Sequence, residues 1–251
     1  MRRIVVVLAL AVIATSLVAQ RRSRNADALP NTPYDGKFTF VRIKYNPGGM
    51  GGDGGFGYGD PRWNHDYPRA EAHFGKILSE LSLVPTFQGG GNVLTFDDPE
   101  LFNYPIAYLT EPGFWSVNQK ETEGMRAWLA KGGFLIVDDF VGNQWYNFEE
   151  KLKIVLPDAR LVHLDASHPI FDSFFRIASL DFYHPYFQGA HSEFFGVFED
   201  NDPAKRLMII VNYNNDVAEY WEWSDTDFAP IELTNEAYKL GINYVLYAMT
   251  H

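Results

Sequence analysis

Hydrophobic positions switch between a period of two and a helical period along the first two thirds of the chain. The stretch FTFVRIKY, residues 38–45, alternates and is rich in β-forming residues, which predicts a strand. Helical spacing follows Asp66, a candidate N-terminal cap. The apolar positions of this predicted helix are Ala70, Phe74, Ile77, Leu78 and Leu81. The chain therefore opens with a strand, a long loop and a helix.

The next segments repeat this order. NVLTF, residues 92–96, and PIAYLTE, residues 105–111, predict two short strands. Asn118 with Glu121 three residues later is the pattern of a capping box, which predicts the start of a helix. The apolar face of that helix carries Met125, Trp128 and Leu129, and Gly132 and Gly133 are its stop signal.

The central segment FLIVDDF, residues 134–140, is almost continuously apolar, which is typical of a parallel strand covered on both faces. A helix that ends before Pro157 follows, and RLVHLD, residues 160–165, predicts another strand. Repeated strand-then-helix order predicts an α/β fold with three layers, α/β/α, around a mostly parallel, flavodoxin-like sheet.

In the last third of the chain, predicted strands follow one another without helices between them. EFFGVFED at 193–200, RLMIIVNY at 206–213 and VAEYWEW at 217–223 are predicted strands, which we expect to form an antiparallel extension at one edge of the sheet. A final helix is predicted from a cap at Thr234 to the end of the chain.

The N-terminal segment differs from the rest. Arginines flank an apolar run from Ile4 to Ala19, so residues 1–25 are predicted to be an export signal or an N-terminal anchor. The run is shorter than the roughly 20 residues that cross a bilayer comfortably, which favours cleavage, and retention as an anchor stays open. Residues 26–36 are predicted to be a linker and residues 37–251 a single domain, exported to the periplasm or the cell exterior.

Composition narrows the possible chemistry. The chain has no cysteine, which excludes disulfides, thiolate metal sites and cysteine nucleophiles. The formal net charge is −11, and the acidic excess is larger still without the basic N-terminal segment. Such a surface repels nucleic acid, so we expect no nucleic-acid partner.

Eight of the twelve residues from Gly48 to Gly59 are glycine, directly after the first predicted strand. A phosphate-binding loop is disfavoured, because no helix begins right behind the glycines. A flexible connection and a lid over a ligand site both stay open. The lid is suggested by the apolar area of Phe56, Tyr58 and Trp63, and Asp60 is grouped with them as a ligand-binding candidate.

The candidate catalytic residues are aspartates and histidines at predicted strand ends or turns. Asp138 and Asp139 end the central strand, where a carboxylate pair can serve as a base or as a metal ligand, although one can also cap a turn. His168 and His184 precede prolines and are candidate bases. The sequence contains no zinc-ligand spacing, so no metal or cofactor is assigned, and a hard cation bound by scattered carboxylates stays open.

The stretch YWEW, residues 220–223, is the remaining candidate. As a strand it would place Trp221 and Trp223 on one face and Glu222 on the other. The two interpretations are core packing and an aromatic platform that stacks sugar rings or proline.

Several separate stretches resemble one bacterial family, domain of unknown function 4159, over about residues 37–251. They are WNHDYP at 63–68, DDPELFNYP at 97–105, LAKGGFLIVDDF at 129–140, HPIF at 168–171, YWEW at 220–223 and LGINYVLYAMTH at 240–251. The resemblance implies a class I glutamine amidotransferase-like fold, close to trehalose-utilisation-type proteins. It equates the strand ending at Asp138 and Asp139 with the strand that carries the amidotransferase nucleophile. Since this chain has no cysteine, glutamine hydrolysis through a thioester is excluded.

Two hypotheses about function follow. The first is a non-catalytic domain of the cell envelope that binds a small molecule, a glycan or an envelope protein. The alternative is a carbohydrate-related hydrolase or lyase that uses Asp138 or Asp139 with His168 or His184.

Overall fold

A computed structural model describes residues 28–47, 61–182, 187 and 189–251. The strands are β1 Phe38–Ile43, β2 Thr86–Leu94, β3 Ile106–Thr110, β4 Phe134–Asp138, β5 Val162–Leu164, β6 Glu193–Phe198 and β7 Leu207–Tyr213. The α-helices are α1 Arg69–Leu81, α2 Gln119–Ala130, α3 Gln144–Val155, α4 Val217–Glu222 and α5 Ile231–Thr250. The predicted export segment lies outside the described residues.

The strands form one seven-stranded sheet in the order β2-β1-β3-β4-β7-β6-β5. Neighbours from β2 to β7 run parallel, whereas β6 is antiparallel to both β7 and β5. Helices cover the sheet, which confirms the predicted three-layer α/β/α fold with a mostly parallel sheet and an antiparallel edge.

Successive side chains of the central strands point to opposite faces of the sheet and pack into two separate hydrophobic cores. Ile106 and Tyr108 of β3 belong to the core that contains residues of α1, α4 and α5. Ala107 and Leu109 belong to the core that contains residues of α2 and α3. Because both faces are covered by helices, the central strands are apolar at almost every position, as a buried parallel strand requires.

The start of α2 is the best-predicted boundary. Asn118 accepts a hydrogen bond from the backbone N–H of Glu121, and the Glu121 carboxylate accepts one from the backbone N–H of Asn118. This is the reciprocal capping box that the sequence predicted. Gly132 follows the helix with φ of +107°, a conformation that favours glycine and ends the helix. The last helix starts earlier than predicted, with Pro230 in place of Thr234 at its N-terminal cap.

The prediction of a strand at VAEYWEW is wrong, because residues Val217–Glu222 form helix α4. Asp216 caps this helix by accepting a hydrogen bond from the backbone N–H of Glu219 at 3.1 Å. Val217, Tyr220 and Trp221 are buried at helical spacing, so this short segment satisfies the period of a helix as well as that of a strand.

Two predicted strands occupy unexpected places. β7 does not lie at the edge but beside β4, in the parallel part of the sheet. β5, from the predicted RLVHLD strand, is the edge strand, and among the described strands it pairs with antiparallel β6 alone.

The segment predicted to be a linker is attached to β2 over part of its length. Asn31 exchanges hydrogen bonds with the backbone of Val93, and the backbone of Thr32 exchanges hydrogen bonds with the Asn92 side chain. These bonds cover the outer edge of the sheet, which would otherwise leave backbone groups unpaired.

Among the described residues, no helix combines the length and the apolar character needed to cross a bilayer.

Candidate functional site

A crevice at the carboxyl edge of the sheet follows from the strand order. After β1 the chain enters α1 on one face of the sheet, whereas after β3 it enters α2 on the opposite face. Strands β1 and β3 are neighbours, so the chain diverges between them. Such a switch point is where open α/β sheets bind ligands. The segments that follow β1, β3, β4 and β7 supply the charged side chains described next.

The segment after β1 is held by a buried ion pair. Arg42 of β1 pairs with Glu71 of α1, and both side chains are fully buried. Arg42 also donates from Nη1 to the carbonyl oxygen of His65 at 2.7 Å. Asp66 follows with φ of +65°, a conformation that asparagine and aspartate tolerate better than most residues. The ion pair thus fixes the backbone that presents His65 and Asp66.

Asp139 lies opposite His65. It directly follows β4, and its φ of +62° shows that the backbone leaves the extended strand conformation at this residue. His65 Nδ1 is 2.7 Å from Asp139 Oδ2, and Thr110 Oγ1 donates to the same oxygen at 3.3 Å. The carboxylates of Asp66 and Asp139 raise the pKa of His65 well above its usual range, against the effect of burial. His65 and Asp139 therefore form a hydrogen-bonded, charged pair.

Asp138 has a different role from its neighbour. Its Oδ2 accepts from the Tyr108 hydroxyl, from the backbone N–H of Val217 at 2.7 Å and from that of Ala218 at 3.3 Å. Burial raises the pKa of Asp138 to about 7. The carboxyl group therefore anchors the first turn of α4 to β4, as a buried structural group.

Helix α4 contributes three further carboxyl groups, those of Asp216, Glu219 and Glu222. Burial raises the pKa of Glu219 to about 9 and that of Glu222 to about 7, and it raises the pKa of Asp216 well above its usual range. Neighbouring carboxylates add to each rise, because like charges disfavour ionisation. On the other side of the crevice, burial raises the pKa of Glu111 to about 8, although Arg62 lies 3.3 Å from its carboxylate.

Asp66 stands where these groups meet. Ligand atoms of His65, Asp66, Asp139 and Asp216 all lie within 4.8 Å of one another, and those of Asp66, Glu219 and Glu222 do likewise. The Asp66 side chain is fully buried, and neither of its oxygens accepts a hydrogen bond from a described residue. His65 Nδ1 approaches Asp66 Oδ1 only to 3.6 Å. We call His65, Asp66, Asp139, Asp216, Glu219 and Glu222 the acidic cluster.

The predicted catalytic residues are brought together only in part. Asp138 and Asp139 lie at the carboxyl edge, with Asp139 in the acidic cluster. His168 is elsewhere: its ring packs against Phe198 and Tyr247, close to where β4 and β7 begin. Its Nδ1 accepts from the backbone N–H of Ile170, which caps a short turn. His184 lies outside the described residues.

The predicted ligand-binding residues also lie in different parts of the structure. Trp63 and Trp221 are core side chains, 4% and 1% exposed, so they do not form an accessible platform. Trp223 is half-buried under Arg69, whose guanidinium carbon lies 4.6 Å from the ring centroid. Glu222 belongs to the acidic cluster. Phe56, Tyr58 and Asp60 lie outside the described residues.

Sequence reasoning gave His65 and Asp66 no role in a site, and it considered Asp216 and Glu219 only as the polar rim of an aromatic platform at YWEW. His65 and Asp66 stand within WNHDYP, the stretch that carries part of the family resemblance, and the polar run NNDVAE follows β7. Polar residues directly after a buried parallel strand are a signal of this edge, and that signal was applied only to β4.

These features define an α/β domain whose switch-point crevice is lined with buried carboxyl groups. The chain belongs to the family described as Domain of unknown function (DUF4159), whose family model matches residues 39–249. A search of curated proteins finds no match to the chain.

Proposed function

We propose that the protein is an exported domain of the cell envelope that binds a small ligand in the switch-point crevice. The observation that carries this proposal is the acidic cluster itself. Its five carboxyl groups are hydrogen-bond acceptors when ionised, and both oxygens of the buried Asp66 carboxylate face other carboxyl groups of the cluster without a backbone, hydroxyl or guanidinium donor from the described residues. Buried acceptors without donors are costly, so the arrangement suits a ligand that brings donors or positive charge.

The chemistry of the cluster limits the ligand class. Ionised carboxylates accept hydrogen bonds from hydroxyl and ammonium groups, so amino sugars, other polyhydroxylated molecules and polyamines fit the crevice. A phosphorylated or otherwise anionic ligand would be repelled. The half-exposed His65 ring, 36% accessible, marks the side from which solvent reaches the cluster.

An amidotransferase-like ancestry is part of the proposal. Asp139 follows the central strand at positive φ, the place where a nucleophile elbow would present its side chain, and the sheet order around β1, β3 and β4 agrees with such a fold. The chain has no cysteine, so this site does not form a thioester. Export is supported by the basic and apolar pattern of residues 1–25.

A thermal-shift screen tests the binding proposal. The purified protein is heated with amino sugars, neutral sugars, peptidoglycan fragments and polyamines, in EDTA and at moderate salt. We expect at least one compound to raise the melting temperature, and the rise to disappear in Asp216→Asn. The matched control is Asp158→Asn, which makes the same change at an exposed position outside the cluster. If no compound acts, or if both variants respond alike, the proposal fails.

A second candidate is hydrolysis or elimination on a carbohydrate, and the hydrogen bond between His65 and Asp139 favours it. Here Asp139 would be the base and His65 its charged partner, in place of the predicted His168 or His184. Chromogenic glycosides and polymers of neutral or amino sugars provide the assay. Turnover that vanishes in Asp139→Asn, while ligand binding persists, would establish catalysis; no turnover on any of them leaves binding as the function.

A further inference from the structure

We propose that His65, Asp66, Asp139 and Asp216 form a binding site for one divalent metal ion of the Mn²⁺ and Mg²⁺ class. The inference deepens the proposed function and rests on it in one respect, since a polyhydroxylated ligand in the same crevice would then contact the ion through its hydroxyl oxygens. The ion itself is inferred from the four side chains alone.

Geometry supports a single ion. The four ligand atoms lie within 4.8 Å of one another. Bonds from nitrogen or oxygen ligands to divalent ions are about 2.0–2.6 Å long, so atoms on opposite sides of one ion are about 4–5 Å apart. All four side chains therefore reach one ion with small adjustments.

Asp66 provides an independent indication, because clustered acids alone do not define a site. Its side chain is fully buried and points at the other cluster groups, yet neither oxygen accepts a hydrogen bond from a described residue. The carboxyl groups of Glu219 and Glu222 lie on its other side, where they are neutral donors to Asp66 when protonated and add negative charge when ionised, so they supply no positive charge in either state. A buried carboxylate requires a counter-charge. A cation between Asp66, Asp139 and Asp216 supplies it.

The arginines around the crevice are engaged with other carboxylates. Arg42 pairs with Glu71, Arg62 with Glu111, and Arg69 with Asp225. Arg42 is also attracted to Asp66 through space, but none of its nitrogens donates a hydrogen bond to the Asp66 carboxylate. His65 Nδ1 lies 3.6 Å from Asp66 Oδ1 and 2.7 Å from Asp139 Oδ2, and as a ligand the imidazole must be neutral, so binding of the ion would release the histidine proton.

The ligand side chains are held before any ion binds. Arg42 fixes the carbonyl of His65, Thr110 contacts Asp139, and Asp216 is the N-terminal cap of α4. Three carboxylates with one imidazole are a hard donor set with a single nitrogen, which suits Mn²⁺ or Mg²⁺ better than the softer, thiolate-binding metals.

The test is Mn²⁺ binding to chelator-treated protein, followed by electron paramagnetic resonance of the free ion and by calorimetry. We expect one Mn²⁺ per chain and competition by Mg²⁺. Asp66→Asn and Asp216→Asn should each weaken Mn²⁺ binding at least tenfold, whereas Asp158→Asn should not change it. Circular dichroism establishes that every variant is folded. Absence of Mn²⁺ binding by the folded parent, or equal binding by all three variants, overturns the metal site.

The two proposals fail separately. Compound binding in EDTA without any Mn²⁺ binding would reject the metal site and keep the ligand crevice. Mn²⁺ binding that follows the predicted order of variants, with no compound active in EDTA or with Mn²⁺, would keep the metal site and reject the ligand crevice.

Discussion

Two buried charged regions lie on either side of His65, and their difference separates architecture from function. In the first, the Arg42–Glu71 ion pair has no exposed side-chain surface, and Arg42 also bonds the carbonyl of His65. In the second, the acidic cluster, buried carboxyl groups face one another around Asp66. In the ion pair one positive side chain faces one negative side chain, whereas in the cluster five carboxyl groups face the single imidazole of His65.

This difference indicates why each set of charges is present. A buried pair with complementary charges can hold a backbone segment in one conformation. A buried set of carboxyl groups opposes folding at neutral pH, because each group must either be ionised beside the others or keep its proton far above its usual pKa. Folding alone therefore does not explain the cluster. Stability is given up at functional sites when binding requires it. The predictions below test whether the two regions respond in these opposite ways.

The largest expected effect comes from breaking the ion pair. Arg42→Met leaves the Glu71 carboxylate buried without its partner, so we expect a loss of about 3–5 kcal/mol in the free energy of unfolding. Urea denaturation in EDTA measures it. The double variant Arg42→Met with Glu71→Met should lose less than Arg42→Met alone, since no charge is left buried. A single variant as stable as the parent would refute the structural role of the pair.

The next effect concerns Asp138, the structural carboxyl group beside the cluster. Tyr108→Phe removes the hydroxyl that donates to Asp138. At pH 8, above the Asp138 pKa of about 7, we expect urea denaturation to show a loss of about 1.5–3 kcal/mol, the usual range for hydrogen bonds to charged groups. Tyr244→Phe is the matched control, because its hydroxyl donates to the neutral amide of Asn212. That control should lose only about 0.5–1.5 kcal/mol. Equal losses would show that Asp138 is not the special acceptor.

An effect spread over the pH scale reports on the acidic cluster and on Glu111, whose pKa the charge of Asp139 helps to raise. The pKa of Glu111 is raised to about 8 and that of Glu219 to about 9, whereas a glutamate in the unfolded chain titrates near 4.3. Between pH 5 and pH 8 the folded protein therefore holds more protons than the unfolded chain. The free energy of unfolding should fall as pH rises, by up to about 1.4 kcal/mol per pH unit for each extra proton.

His65 adds to the same trend. Its raised pKa means that the folded protein keeps the histidine proton at pH values where the unfolded chain has already lost it, so this contribution to stability also falls as pH rises. Denaturant titrations of the metal-free protein at pH 5, 6, 7 and 8 measure the slope. A free energy of unfolding that rises with pH across this window would contradict the described environment of the cluster.

The smallest predicted change has the opposite sign from the first two. Asp66→Asn removes one negative charge from the cluster and adds an amide donor that neighbouring carboxylates can accept from. Asparagine also tolerates the φ of +65° at this position. We expect the metal-free protein to gain about 1 kcal/mol in the free energy of unfolding at pH 8. Asp158→Asn, at an exposed position, should change it by less than about 0.5 kcal/mol.

The fold was predictable from the sequence wherever a local pattern had a single meaning. The capping box at Asn118 and Glu121 fixed the start of α2, and the apolar run before Asp138 fixed a buried central strand. The stretch VAEYWEW was ambiguous, since its few apolar positions fit a strand or a helix. Its helical state depends on the cap at Asp216 and on Asp138, which contacts it from 79 residues earlier in the chain.

The site was predictable only at one strand. Asp139 follows a strand whose apolar run is recognisable, so its place at the carboxyl edge could be inferred. His65 and Asp66 come from a different strand, and the Nδ1 of His65 meets Asp139 across 74 residues of sequence. No spacing rule links them, because the strand order brings them together. His168 lies away from the crevice for a related reason: its ring packs against Phe198 and Tyr247 in the turn after β5.

The most direct test of the account compares the unfolding free energies of the parent and Asp66→Asn at pH 8, in EDTA and again with saturating Mn²⁺. We predict that Asp66→Asn is the more stable protein in EDTA and the less stable one with Mn²⁺, because only the parent binds the ion well enough to be stabilised by it. If Asp66→Asn is less stable than the parent in EDTA, or if Mn²⁺ leaves the order unchanged, the carboxyl groups around Asp66 are not a binding site.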